Sequence, residues 1–224
     1  MNNQTSHIVD LRDVSLFQGF SAKELSYIQS SMIEKSFKKD DVVFFSGDPC
    51  RGILILKAGR VKLSCLSASG KEQVLETFQG GHTCACHSEG AAKCPGNVQA
   101  ATDCTVWFLP IENYQRLVSQ HPRMLKKLNA ILSARLNHFS ELIKRISLDG
   151  PGQRLAQFIL DCTEKKKKFP HYPNFTHDEI AQRVGLTRET VTRYLNKFKR
   201  SKLITVKSQE ITVLNLEKLR KLAA

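Results

Sequence analysis

Apolar residues change their spacing along the chain, first at helical steps, then in strand-like runs, then in a long helical seam. "SAKELSYIQSSM" sets Leu25, Ile28 and Met32 at helical intervals behind Ser21, a residue that caps helix starts, and this predicts a short opening helix. "DVVFFSGD", "GILILKAGRVKLSCL", "EQVLETF" and "CTVWFLP" follow, rich in β-branched and aromatic residues and punctuated by Gly47, Gly52, Gly59, Gly70, Gly80 and Gly81. Strands at hairpin spacing, without helices between them, predict a small antiparallel roll or barrel.

From about Ile111 to Ser147 the pattern is that of one long helix, with Leu125, Leu128, Leu132, Phe139, Leu142 and Ile146 on steps of three, four and seven. Such a seam either packs on the chain's own β domain or pairs with a second copy as a parallel coiled coil. The dimer reading leaves Met124, Ile131 and Ile143 to face the roll and makes Arg135 a polar, dimer-specifying interruption. "DGPG" at 149–152 breaks the repeat and marks a hinge and domain boundary. "QRLAQFILDC" reads as a further helix, and Lys165 to Lys168 as an exposed loop or strand edge.

The sharpest local signal is "FTHDEIAQRVGLTRETVTRYLNKFKRSKLI", residues 175–204. Thr176 and Glu179 have capping-box spacing, and Phe175 and Ile180 are placed as a hydrophobic staple. Gly185 suits a sharp turn between helices, and Thr187 caps a second helix whose Val191, Leu195 and Phe198 form a buried face. Arg188, Glu189, Thr192 and Arg193 occupy its opposite face in the first two turns, where a recognition helix meets the major groove. Arginine forks match guanine and a glutamate accepts from cytosine, so these four, with Thr176 and Thr187 at the helix starts, are the DNA-binding candidates. "LITVKSQEITVL" then reads as a two-stranded wing and "NLEKLRKLAA" as a closing helix. The chain is therefore expected to be α+β: a β-roll sensor over 1–110, a dimerisation helix over 111–148 and a winged helix-turn-helix over 149–224.

Charge agrees with a polyanionic partner, since 34 Lys and Arg against 21 Asp and Glu leave +13. The start "MNNQTSHIVDLRDVSLF" has no signal-peptide pattern and no run spans a bilayer, so a cytoplasmic location without membrane contact is expected. In a reducing compartment, seven cysteines argue for metal, cluster or redox chemistry, or for buried thiols, rather than a disulfide framework. Four of them, Cys84, Cys86, Cys94 and Cys104, fall with His82 and His87 inside "HTCACHSEGAAKCPGNVQAATDC". Cys50, Cys65 and Cys162 read as packing residues. No nucleophile or carboxylate constellation surrounds His121 or His138, which argues against an enzyme. A metal-binding or electron-carrier protein would explain the thiols but not the base-reading helix.

"LFQGFSAKEL", "VFFSGDPCRGILILKAGRVKLS", the long helix and "EIAQRVGLTRETVTRYLNKFKRSKLI" together resemble the Crp/Fnr family of bacterial transcription regulators over nearly the whole chain. The resemblance implies a homodimer with an effector-sensing β-roll, binding a pseudo-palindromic operator and working with RNA polymerase. "RETVTR" is similar to the family's cyclic-AMP-responsive branch at Arg188, Glu189 and Arg193, implying TGTGA-like half-sites; Thr192 resembles the hydroxyl of the oxygen-sensing branch.

The sensing segment departs from that pattern. Cyclic-nucleotide binders in the family have a Gly-Glu pair where Ala85 and Cys86 stand, and an arginine where "CPGNVQAA" has none, so no cyclic AMP is expected. An iron-sulfur cluster or other metal-thiolate site on Cys84, Cys86, Cys94 and Cys104 is the first replacement considered, with His82 and His87 as alternative ligands. The family's oxygen sensors carry their cluster cysteines mainly in an N-terminal segment, whereas residues 1–20 here hold none. "CACHS" also resembles the "CMHS" of the carbon-monoxide-sensing branch, which makes haem on His87 with Cys84 or Cys86 the second reading. A thiol switch, its thiolates favoured by His82, His87 or Lys93, or a metalloid held by three thiols, is the third.

Overall fold

The computed structural model describes residues 8–85, 93–168 and 173–223. Two short 3-10 turns, Leu11–Asp13 and Ser15–Phe17, lead into helix α1 (Ala22–Ser30). Strands β1 (Ile33–Phe37), β2 (Val42–Phe44), β3 (Gly52–Ala58), β4 (Arg60–Leu66), β5 (Glu72–Gln79), β6 (Thr83–Ala85), β7 (Asn97–Ala100) and β8 (Cys104–Pro110) follow. Helices α2 (Ile111–Gln120), α3 (Arg123–Leu148), α4 (Pro151–Lys168), α5 (His177–Val184) and α6 (Arg188–Arg200) precede the hairpin β9 (Ile204–Lys207) and β10 (Glu210–Val213) and helix α7 (Leu216–Ala223). The architecture is α+β. The chain divides into two compact units, Met1–Gly70 with Val74–Phe139, and Lys71–Gln73 with Ser140–Ala224.

In the first unit two four-stranded sheets, ordered β1-β8-β3-β6 and β2-β7-β4-β5, form the roll. Strand β3 is buried on both faces because alternate side chains enter different cores. Ile53 and Ile55 pack with Phe17, Ile28, Trp107, Leu117, Met124 and Leu128 beneath the helices. Leu54 and Leu56 point the other way, into a second core with Val61, Leu63, Phe78, Val98 and Val106. The β3–β4 turn depends on Gly59: its φ is +84°, and an added Cβ would sit 2.3 Å from the Asp103 carbonyl oxygen. Helix α1 starts at a complete capping box, with Ser21 accepting from the Glu24 amide and the Glu24 carboxylate returning to the Ser21 amide at 2.7 Å.

The single helix expected over 111–147 is instead two. Residues before proline are driven out of the helical region, and His121, at φ −132° and ψ 75°, ends α2 just before Pro122. Helix α3 then runs without interruption from Arg123 to Leu148.

The second unit packs α4 to α7 and the wing around Leu155, Ile159, Ile180, Val191, Leu195, Phe198 and Leu219. Gly150 starts α4, its amide donating to the Gln153 side chain at 2.8 Å, and Pro151 occupies the first helical position, where its missing N–H costs nothing. The lysine run is not a loop or strand edge but the last turn of α4, where cations oppose the helix dipole. Lys166 there reaches Asn174 Oδ1 at 2.7 Å and Glu210 Oε1 at 3.5 Å. Among the described residues no helix is long and apolar enough to cross a membrane.

Candidate functional site

Helices α5 and α6 form the helix-turn-helix, each end fixed by local chemistry. Thr176 accepts from the Glu179 amide while Glu179 returns a bond to the Thr176 amide at 2.8 Å. Gly185 closes α5 in the left-handed region, φ 67°, a conformation costly for residues with a Cβ. Arg154 donates to the Val184 carbonyl at 3.0 Å, satisfying an acceptor that the helix end leaves unpaired. Thr187 caps α6 by accepting from the Thr190 amide at 3.3 Å.

With Val191, Leu195 and Phe198 locked in the core, α6 has no freedom to rotate, and Arg188, Glu189 and Arg193 are exposed on its other side. Arg188 lies 3.6 Å from the Asp178 carboxylate, and Arg193 lies over the Tyr194 ring at 5.6 Å. Backbone hydrogen bonding in the first helical turn, with help from Thr187, lowers the Glu189 carboxyl pKa and keeps it an acceptor. Thr192 is half-buried and engaged by His177, whose Nδ1 is 2.8 Å from the Thr192 hydroxyl. Sequence reasoning passed over His177; its position as the first residue after a helix cap, beside the recognition helix, was the available signal.

The thiol segment divides differently from expectation. Cys84, Cys94 and Cys104 are all buried, while Cys86 and His87 lie outside the described residues. On β6, Cys84 pairs with Leu54 of β3; Cys104 precedes Thr105, which pairs with Ala58 on the other side of that strand. Four residues of strand separate these levels by about 13 Å. Tetrahedral thiolate ligands lie within a few ångströms of one another, so Cys84 and Cys104 do not share an ion or compact cluster. Among the described residues no three His, Cys, Asp or Glu side chains are grouped to hold a metal. His82 is an exposed loop residue whose Nδ1 meets the Gln79 carbonyl at 3.0 Å. Cys65 donates to the Pro95 carbonyl at 3.5 Å and Cys50 to the Gly52 carbonyl at 3.7 Å, contacts suited to packing.

Arg135 does not interrupt a dimer seam; it points into its own unit. Its Nη2 donates to the Thr83 carbonyl at 2.9 Å, the residue before Cys84, and its guanidinium stands over the Phe78 ring at 5.0 Å. Its Nε is 3.1 Å from Glu76 Oε2, a largely buried ion pair. Met124 and Leu128 are buried in the core below α3, and Phe139 leans on the roll interior. The exposed apolar residues of α3 are Leu125, Leu136, Ile143, Ile146 and Leu148. Ile143 therefore turns outward, contrary to the expected roll-facing side. Leu125, Asn129, Leu132, Leu136, Phe139, Ile143 and Ile146 follow alternating steps of four and three along one stripe. A cavity of about 440 Å³ is lined by Phe37, Phe44, Leu54 and Phe108 with Lys35 and Arg51, and none of the cysteines lines it.

Two family models match, a cyclic nucleotide-binding domain over residues 34–121 and a Crp-like helix-turn-helix domain over 153–222. The fumarate and nitrate reduction regulatory protein of Escherichia coli is 25% identical over 195 residues, 85% of this chain and 78% of that protein. A crp/fnr-family transcriptional regulator from Eubacterium rectale is similar in structure, with a TM-score of 0.72, 24% identity and coverage of 93% of this chain and 97% of that one. A double mutant of CooA from Carboxydothermus hydrogenoformans gives a TM-score of 0.77 at 21% identity, over 97% and 98% of the two chains. The chain belongs to the Crp/Fnr family of DNA-binding transcription regulators, and it is not an enzyme.

Burial also sorts the thiols by reactivity. Desolvation first, then the nearby Asp103 and Asp41 charges, pushes the Cys104 thiol up to about 11, and desolvation does the same to Cys162. Brief alkylation of the native protein at mildly alkaline pH, read by peptide mass spectrometry, is expected to leave Cys104 and Cys162 unmodified until the chain is unfolded. Rapid native labelling of Cys104 would contradict its burial, and rapid labelling of the half-buried Cys162 would contradict its raised pKa.

Proposed function

We propose that this regulator works as a homodimer that places two α6 helices in successive major grooves of a pseudo-palindromic operator with TGTGA-like half-sites. The single observation that carries the reading is the two-sided α6: one face fixed in the core, the other presenting Arg188, Glu189, Thr192 and Arg193 within two turns. Arg193 and Arg188 are the guanine readers, Glu189 accepts from cytosine, and Thr176 and Thr187 hold the helix starts at the backbone. Residues 1–110 serve as sensor, 111–148 as dimerisation segment and 149–224 as DNA-binding domain, with RNA polymerase as the downstream partner in the cytoplasm.

The dimer forms along the exposed α3 stripe. Leu125, Leu136, Ile143 and Ile146 of the stripe are solvent-exposed in the protomer, and Asn129 supplies the one polar seam position that favours a two-stranded register.

The signal enters at residues 82–87. Because Cys84 and Cys104 are too far apart for a four-thiolate cluster, haem or a metal is held by Cys84, Cys86 and His87, with Cys94 or His82 as alternative ligands, and oxidation of Cys84 and Cys86 is the cofactor-free form of the same site. Arg135 supports this reading, since it ties the backbone at Thr83 to the dimerisation helix. A redox, gas or metal event there shifts the dimer between two states of different DNA affinity. Cyclic AMP is not the effector, as 94–101 offers no arginine for its phosphate.

Three experiments test these points. Arg193→Ala is expected to lose about 1–3 kcal/mol of binding per half-site while keeping nonspecific affinity; retained sequence preference would overturn the groove assignment. Leu136→Glu with Ile143→Glu is expected to give monomers by sedimentation, and dimers from that variant would move the interface elsewhere. Anaerobic purification with absorption and metal analysis is expected to show either a Soret band lost in His87→Ala, or metal-free protein whose DNA affinity responds to oxidants only while Cys84 and Cys86 are present. Iron with acid-labile sulfide retained in Cys104→Ser and Cys84→Ser alike would place the sensor outside this segment.

A further inference from the structure

We infer that His177 decides which edge of a base Thr192 reads, by fixing the direction of the Thr192 hydroxyl. The inference rests on the proposed base-reading role of α6. His177 is the first residue of α5 after its Thr176 cap; Thr192 lies in the second turn of α6, and their side chains meet with Nδ1 2.8 Å from Oγ1. Both are half-buried, between the exposed Arg188 and Arg193 on one helix and Asp178 on the other.

A threonine hydroxyl has one proton to donate and lone pairs to accept with. In the neutral imidazole with hydrogen on Nε2, Nδ1 carries a lone pair, and the hydroxyl proton is given to it. In this form an Nε2–H can also donate to a backbone phosphate oxygen, whereas an imidazolium would donate from Nδ1 and turn the hydroxyl proton toward the groove. The relay then runs from phosphate through His177 to Thr192, and only lone pairs of the hydroxyl remain for the groove. Such a hydroxyl accepts from the amino group of adenine N6 or cytosine N4 and has nothing to give to guanine O6 or thymine O4. Without the imidazole the hydroxyl turns freely and serves either kind of edge. His177 is thus a positioning residue that acts on specificity through Thr192.

The test is selection of operators from a pool randomised across the half-site, using the full-length protein and its His177→Ala, His177→Asn and Thr192→Ala variants. The wild type is expected to favour adenine or cytosine by about tenfold at one position per half-site. His177→Ala is expected to flatten that position alone, and His177→Asn, whose side-chain oxygen can replace Nδ1 as acceptor, to restore the preference with weaker overall binding. Combining His177→Ala with Thr192→Ala should change that position no more than Thr192→Ala does. A His177→Ala profile that keeps the preference, or loses affinity equally for every sequence, would overturn the inference, as would a wild-type preference for guanine or thymine there. If His177→Ala does not fold, His177→Gln, which keeps a donor near Nε2 but none of the acceptor at Nδ1, gives the same readout. Absence of any sequence preference in the wild type would instead overturn the base-reading role of α6 and this inference with it; an intact preference at the arginine-read positions separates the two failures.

Discussion

Strand β3 is the constraint on which the first unit depends. Because strand side chains alternate with a period of two, Ile53 and Ile55 belong to one core and Leu54 and Leu56 to the other, so a register slip of one residue would empty both at once. Its neighbours inherit that precision. Strand β8 repeats the division, with Trp107 and Leu109 under the helices and Val106 in the roll, and β6 receives its position by pairing Cys84 with Leu54. The thiol segment begins on a strand that cannot shift without disturbing two hydrophobic cores.

That placement keeps Cys84 and Cys104 apart. Each is near another in sequence, but β3 carries Cys84 and Cys104 on opposite flanks and at different levels, and burial leaves the Cys104 thiol protonated at neutral pH. A guanidinium has five donors in a rigid fork, enough to hold a backbone carbonyl and a carboxylate while stacking on a ring. From α3 Arg135 holds the Thr83 carbonyl and faces Glu76, so the backbone at the start of the thiol segment is tied to α3 through a charged, mostly desolvated contact.

The DNA-binding unit is specified locally to an unusual degree. A capping box at Thr176, a left-handed Gly185 and a capping Thr187 fix two helix starts and the turn between them within twelve residues, 176–187. Short-range rules of this kind can be read from a sequence because the interacting groups lie three or four positions apart, and the amphipathic face of α6 follows from its period alone. The exposed residues proposed to read bases were legible for the same reason. His177 was not, because its partner lies 15 positions away and only the crossing of two helices brings them together.

The sequence by itself determined the α+β class, the roll, the helix-turn-helix with its wing and the family, because alternating strands, capping residues and turn glycines act over a few positions. Tertiary structure decided the rest. It turned Arg135 and Phe139 inward and Ile143 outward, since which side of a long helix faces its own domain depends on the strands beneath it and not on the repeat. It also separated Cys84 from Cys104, because distance within a sheet is set by register, and register is a property of paired strands that no single strand's sequence records.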